Sequence, residues 1–147
     1  MILRRCLPAA ALCAVATLLP ALPAAAQPLD ARPASQAVSV RARLVEWAIR
    51  RAPAVVPSGR VRFVARNAGV SRHELVVIKT RRRANALGRG LTVPERGARG
   101  EIEEFGPGRT RSMTLRLAPG HYALICNLPG HYRAGMRADL WVDTPRG

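Results

Sequence analysis

Three residues that favour soft metal ions fall within one eleven-residue stretch, Cys126-Asn-Leu-Pro-Gly-His131-Tyr-Arg-Ala-Gly-Met136, and a fourth, His73, lies 53 positions before Cys126. Thiolate, imidazole and thioether suit copper better than they suit hard cations. Two imidazoles and one thiolate, with a weak and long axial thioether, make the trigonal set of sites that move single electrons. Zinc is the poorer match, because structural zinc sites use thiolate, imidazole and carboxylate rather than thioether. His121 stands apart from this group. It lies five residues before Cys126, so strand alternation puts it on the opposite face, as a surface or turn residue.

Donors this far apart in sequence meet only if a rigid framework holds them. Val38, Val40, Ala42 and Leu44 alternate with Ser39, Arg41 and Arg43, and Val61, Phe63 and Ala65 alternate with Arg62 and Arg66. Period two of this kind marks half-buried strands. Leu75 to Ile78 is wholly apolar, which suits a central strand, and strands resume at 101–105, 113–117, 121–126 and 137–142. Pro53, Pro57, Gly59 and Pro119-Gly120 punctuate the pattern. About seven to eight short strands with Gly/Pro breaks predict an all-β, Greek-key β-sandwich.

In such a sandwich Cys126 ends one strand and Arg137 begins the next, so the clustered donors share one loop. His73 follows the Asn67–Ser71 turn, opens the apolar strand, and reaches the same end from a neighbouring position. The stretch from Thr80 to about Gly100 loses all periodicity and reads as a surface excursion, with room for a short helix around 82–87.

The amino-terminal residues read as a secretory leader rather than as part of the fold. Arg4 and Arg5 precede an apolar stretch from Leu7 to Leu22, and Ala24-Ala25-Ala26 offers a cleavage site. Prolines interrupt that stretch, and it falls short of the roughly 20 residues a membrane-spanning helix needs. The expected organisation is a leader over 1–26, a flexible lead-in over 27–37 and one domain over 38–147, exported to the periplasm or beyond. Cys6 and Cys13 depart with the leader and leave Cys126 alone. A single thiol in an oxidising compartment forms no internal disulfide, and a bound metal would protect it.

The leader also removes two of the 24 basic residues and none of the nine acidic ones, so the remaining chain carries +13. Such an excess steers encounters toward acidic partners. Two Phe, two Tyr and two Trp are too few and too scattered for a nucleic-acid stacking platform.

The segment from Pro119 through Cys126 and His131 to Met136 resembles the copper loop of cupredoxins, the plastocyanin/azurin group. Asn67-Ala-Gly-Val-Ser-Arg-His73-Glu-Leu resembles that group's upstream ligand region. Four residues between Cys126 and His131, and four between His131 and Met136, are most similar to the rusticyanin branch. The resemblance spans residues 38–143. It implies one type 1 copper ion with His73, Cys126 and His131 as equatorial ligands and Met136 as the axial one. It further implies a packing role for Tyr122 and a hydrogen bond from the Glu74 backbone N–H to the Cys126 sulfur. One departure stands out: the family places Asn after the first histidine to tether the copper loop, and Glu74 occupies that position here. The loop holds no second cysteine, so a dinuclear centre does not follow.

The expected function is a monomeric, non-enzymatic carrier of single electrons between redox partner proteins, some with acidic docking surfaces. His131 would be the exposed ligand, ringed by Leu128, Pro129, Tyr132 and Ala134. The alternative is a periplasmic copper-binding or delivery protein for copper homeostasis or oxidase assembly.

Overall fold

A computed structural model describes residues 36–144. The leader and most of the lead-in expected from sequence lie outside the described residues. Nine strands form two sheets: β1 (Val38–Val45), β2 (Ala48–Ala52), β3 (Val55–Pro57), β4 (Gly59–Asn67), β5 (His73–Lys79), β6 (Ala98–Phe105), β7 (Thr110–Leu117), β8 (Gly120–Ile125) and β9 (Arg137–Asp143). One sheet has the order β2-β1-β4-β7 and the other β3-β9-β8-β5-β6. β1 runs parallel to β4, and β3 runs parallel to β9; the other neighbours are antiparallel. The result is the all-β sandwich that the alternation predicts, with β2 and β3 as additions. Both are short and flank Pro53, so neither leaves a periodic signature.

Alternation decides what fills the space between the sheets. Val40, Ala42 and Leu44 of β1 and Val61, Phe63 and Ala65 of β4 point inward against Leu75, Val77, Tyr122, Leu124 and Leu140. Truncating a fully buried aromatic such as Phe63 to alanine costs about 3–5 kcal/mol, through lost transfer energy and the cavity left behind. Tyr122 takes the packing role expected of it, and its hydroxyl donates to the Ala118 carbonyl at 2.8 Å. That bond satisfies the phenol in an otherwise apolar interior.

β5 and β8 are buried on both faces, because a second apolar cluster lies outside their sheet. The 80–97 segment supplies it. Its one helical turn, Ala84–Ala86, puts Ala84 against the sheet, and Val93 and Leu87 pack with Ile78, Ile125 and Tyr132. The excursion is therefore a cover layer. His121 lies on the face of β8 away from Cys126, as alternation requires, but it is buried rather than a surface residue. Its ring nitrogens face the Thr80 carbonyl at 3.0 Å and Asp139 Oδ1 at 2.7 Å, with the Trp141 ring tilted beside it at 4.5 Å between centroids. Burial pushes the Asp139 carboxyl up, but bonds from the Ala84 N–H and His121 outweigh this and hold it low.

Candidate metal centre

His73 begins β5, Cys126 follows β8, and a single helical turn, α1 (His131–Ala134), begins at His131. β5 and β8 are antiparallel neighbours, with Val76 opposite Ile125, so the start of one and the end of the other share one edge of the sandwich. Met136 immediately precedes β9, and its carbonyl accepts from the Cys126 N–H at 3.0 Å. The loop thus returns on itself before the next strand begins.

Donor atoms of His73, Cys126 and His131 all lie within 4.8 Å of one another. His73 Nδ1 is 3.3 Å from His131 Nδ1, and His131 Nδ1 is 3.3 Å from Cys126 Sγ. Such spacings suit donors that share one first-row metal ion at about 2.0–2.3 Å. His73, Cys126 and Met136 are completely buried, while His131 is half-buried. Burial holds the His73 imidazole below its usual range, so it stays neutral and able to donate a lone pair. Burial also pushes the metal-free Cys126 thiol up to about 11. Two imidazole nitrogens and a buried sulfur facing one another fit a soft cation.

Glu74 resolves the departure noted in the sequence. Its backbone N–H donates to Cys126 Sγ at 3.5 Å, and its side-chain Oε1 accepts from the Asn127 N–H at 2.6 Å. The carboxylate therefore tethers the residue after the cysteine in place of the family's asparagine. Asn127 passes the grip onward: its side chain bonds both backbone groups of Val93, at 2.8 and 3.0 Å, and Glu95 Oε1 at 2.7 Å.

Sequence reasoning missed the turn between β1 and β2. Glu46 Oε1 accepts from the N–H groups of Val70 and Ser71 at 3.0 and 2.7 Å, and it lies 3.1 Å from His73 Nε2. The Ser71 bond is the chief reason that the Glu46 carboxyl is held down at about 2. An ionised carboxylate only accepts, so Nε2 carries the ring proton and Nδ1 is left free to face the cluster. Gly69 permits this approach, since a Cβ there would stand 2.3 Å from Glu46 Oε2. Trp47 stacks edge-on against His131 with ring centroids 5.0 Å apart, and its carbonyl lies where a Cβ on Gly135 would be 2.6 Å away. Asn67 organises the loop before His73: its amide donates to Ser71 and Phe105 carbonyls, and its side-chain oxygen caps the Gly69 N–H. No motif flags Glu46 or Trp47, because their importance rests on long-range contacts with residues near 70 and 131.

A β-sandwich whose buried cysteine sulfur and two imidazoles converge at one end defines a cupredoxin-like metal protein. Comparison with known proteins agrees. The family described as copper binding proteins, plastocyanin/azurin family, matches residues 51–143. Auracyanin B is 30% identical over 76% of this chain and 90% of its own, with a TM-score of 0.56. Auracyanin of Roseiflexus castenholzii, 22% identical over 74% and 98% of the two chains, and rusticyanin of Thiobacillus ferrooxidans, 17% identical over 72% and 77%, share the fold with TM-scores of 0.54 and 0.53. A comparison with curated proteins finds none that matches. The chain belongs to the plastocyanin/azurin family of copper-binding proteins.

Proposed function

We propose that the protein is an exported, mononuclear type 1 copper protein that carries single electrons between redox partners. His73, Cys126 and His131 would hold the ion, with Met136 as the weak axial ligand. Copper, when bound, supplies a one-electron couple between Cu(I) and Cu(II). The observation that carries the reading is the closure of the donor set: three of the four residues are fully buried, and His131 alone reaches toward solvent. Such a site favours electron passage over binding of a substrate.

The surrounding residues hold the donors still. Glu46 fixes the tautomer of His73, the Glu74 N–H shares charge with the Cys126 sulfur, and the Glu74 carboxylate pins the loop. Preorganised partners of this kind reduce the rearrangement that a change of charge demands. Beside His131, Trp47 is exposed with its ring centroid 5.0 Å from the imidazole, and Pro129 and Ala134 are exposed on the loop itself, with Leu128 half-buried. Tyr132, expected in this patch, turns inward, so Trp47 takes its place. A small patch suits brief docking of a redox partner, and the basic surplus favours acidic ones.

Export with removal of residues 1–26 and a domain over 38–147 complete the proposal. No helix among the described residues is long and apolar enough to cross a membrane. The test is the copper-loaded protein itself. A stable, intense blue colour and reversible one-electron voltammetry are expected, and Cys126→Ser should abolish the colour. A colourless protein that surrenders Cu(I) readily to a chelator would replace the electron carrier with a copper-delivery protein.

A further inference from the structure

The outward face of the four-stranded sheet carries an unusual array. Arg41 and Arg43 of β1, Arg50 of β2, and Arg60, Arg62 and Arg66 of β4 alternate with the inward core residues and are all exposed. Arg43 stands directly opposite Arg50 on one side and level with Arg66 on the other, and Arg60 stands opposite Arg116 of β7. Like charges on paired residues destabilise a sheet. Nothing in the face offsets them: its strands contribute no acidic residue, and among the described residues the arginine ion pairs are Arg72–Glu104 and Arg83–Asp139, both elsewhere. One neutral contact is made, from Arg62 to Ser112 at 3.3 Å.

We propose that this face docks the protein on a bilayer rich in anionic phospholipid. Guanidinium groups bind phosphate through paired, charge-assisted hydrogen bonds, and one face of the four-stranded sheet presents them together. Ser39, Ser112 and Thr114 stand between them, with Val64 and Ala52 beside Arg41 as isolated small aliphatic residues and no aromatic. A protein interface would instead show an apolar, aromatic centre with charges at the rim. A nucleic-acid surface would show stacking aromatics or an element able to enter a groove. With the sheet flat on the headgroups, the strands run along the membrane plane. The His131 end then faces sideways, open to a partner at the same surface.

Sedimentation of the copper-loaded protein with vesicles of phosphatidylglycerol and phosphatidylcholine, against phosphatidylcholine alone, tests this. Binding is expected only to the anionic vesicles and should weaken as salt rises. The triple variant Arg43→Gln, Arg50→Gln, Arg66→Gln should bind on the order of 100-fold more weakly. A control with Arg81, Arg82 and Arg96 changed to Gln, which loses the same charge, should stay within a few-fold of the parent. The blue absorption reports that each variant is folded. Equal losses in the two variants would reduce the effect to net charge and overturn the assignment, as would absence of binding by the parent. Tighter binding to a single-stranded DNA oligonucleotide, lost in the same face variant, would assign the face to nucleic acid instead.

Discussion

Glu46 separates orientation of a ligand from ligation itself. Removing its carboxylate in Glu46→Ala should lower copper affinity by about 10–100-fold, as loss of a ligand's hydrogen-bond partner typically does. Glu46→Gln keeps an oxygen for His73 and should recover most of that loss, read by competition against a chelator. The metal-free protein should also show two opposed titrations. Cys126 stands at about 11 against an ordinary 9.0, so the folded state keeps a proton that the unfolded chain gives up. Its contribution to stability is complete below pH 9 and is lost as the pH rises toward 11. Glu46 stands at about 2 against 4.5, so its contribution is present above pH 4.5 and is lost as the pH falls toward 2. The melting temperature without metal should therefore drop beyond both limits. A flat profile between pH 9 and 11 would contradict the burial of Cys126. Near neutral pH, copper uptake should release about one proton, from the same thiol, in a buffer-dependent calorimetric titration.

At the scale of elements, the excursion over 80–97 and the ligand loop behave as one unit. The Tyr132 hydroxyl donates to the Ala84 carbonyl at 2.7 Å and accepts from the Leu87 N–H at 3.0 Å, while the Gly130 N–H donates to the Leu91 carbonyl at 2.9 Å. Tyr132→Phe should cost about 1–3 kcal/mol by leaving the Ala84 and Leu87 groups unpaired. Amide exchange should quicken at Leu87 and Val93 and stay unchanged in β4 and β7. The elements also show how much the sequence discloses. Strands with one solvated face, such as β1 and β4, declare themselves by alternation. The doubly buried run at Leu75–Ile78 is recognisable as central, but what covers its outer side is not, because the 80–97 segment has no period of its own. β3 is hidden for another reason: its pairing, Val55 with Trp141, is set by a distant strand, while β2 pairs with its neighbour β1 but is five residues long with two adjacent arginines and shows no clean alternation. The cluster of His73, Cys126 and His131 is legible because chemistry limits its residue types. Glu46 and Trp47 are not, since any exposed turn contains such residues.

Charge belongs to the whole molecule. Seven arginines share one sheet face, while the ligand end carries Arg133 and Arg137 as well as Glu46 and Glu74, so the positive field is densest over the sheet. Relief of crowding should make Arg43→Gln more heat-stable than the parent at low salt, by about 0.2–1 kcal/mol, with the gain shrinking as salt is added. Electron exchange with an acidic partner should likewise slow as ionic strength rises, in stopped-flow measurements. The contacts of the ligand loop carry a lesson for engineering. Asn127, Gly130, Tyr132 and Gly135 each meet a part of the chain outside the loop. A transplant of residues 126–136 into another β-sandwich would carry Cys126, His131 and Met136 but none of their anchors. The graft becomes portable only with the 84–93 cover and the Glu46–Trp47 turn moved alongside it.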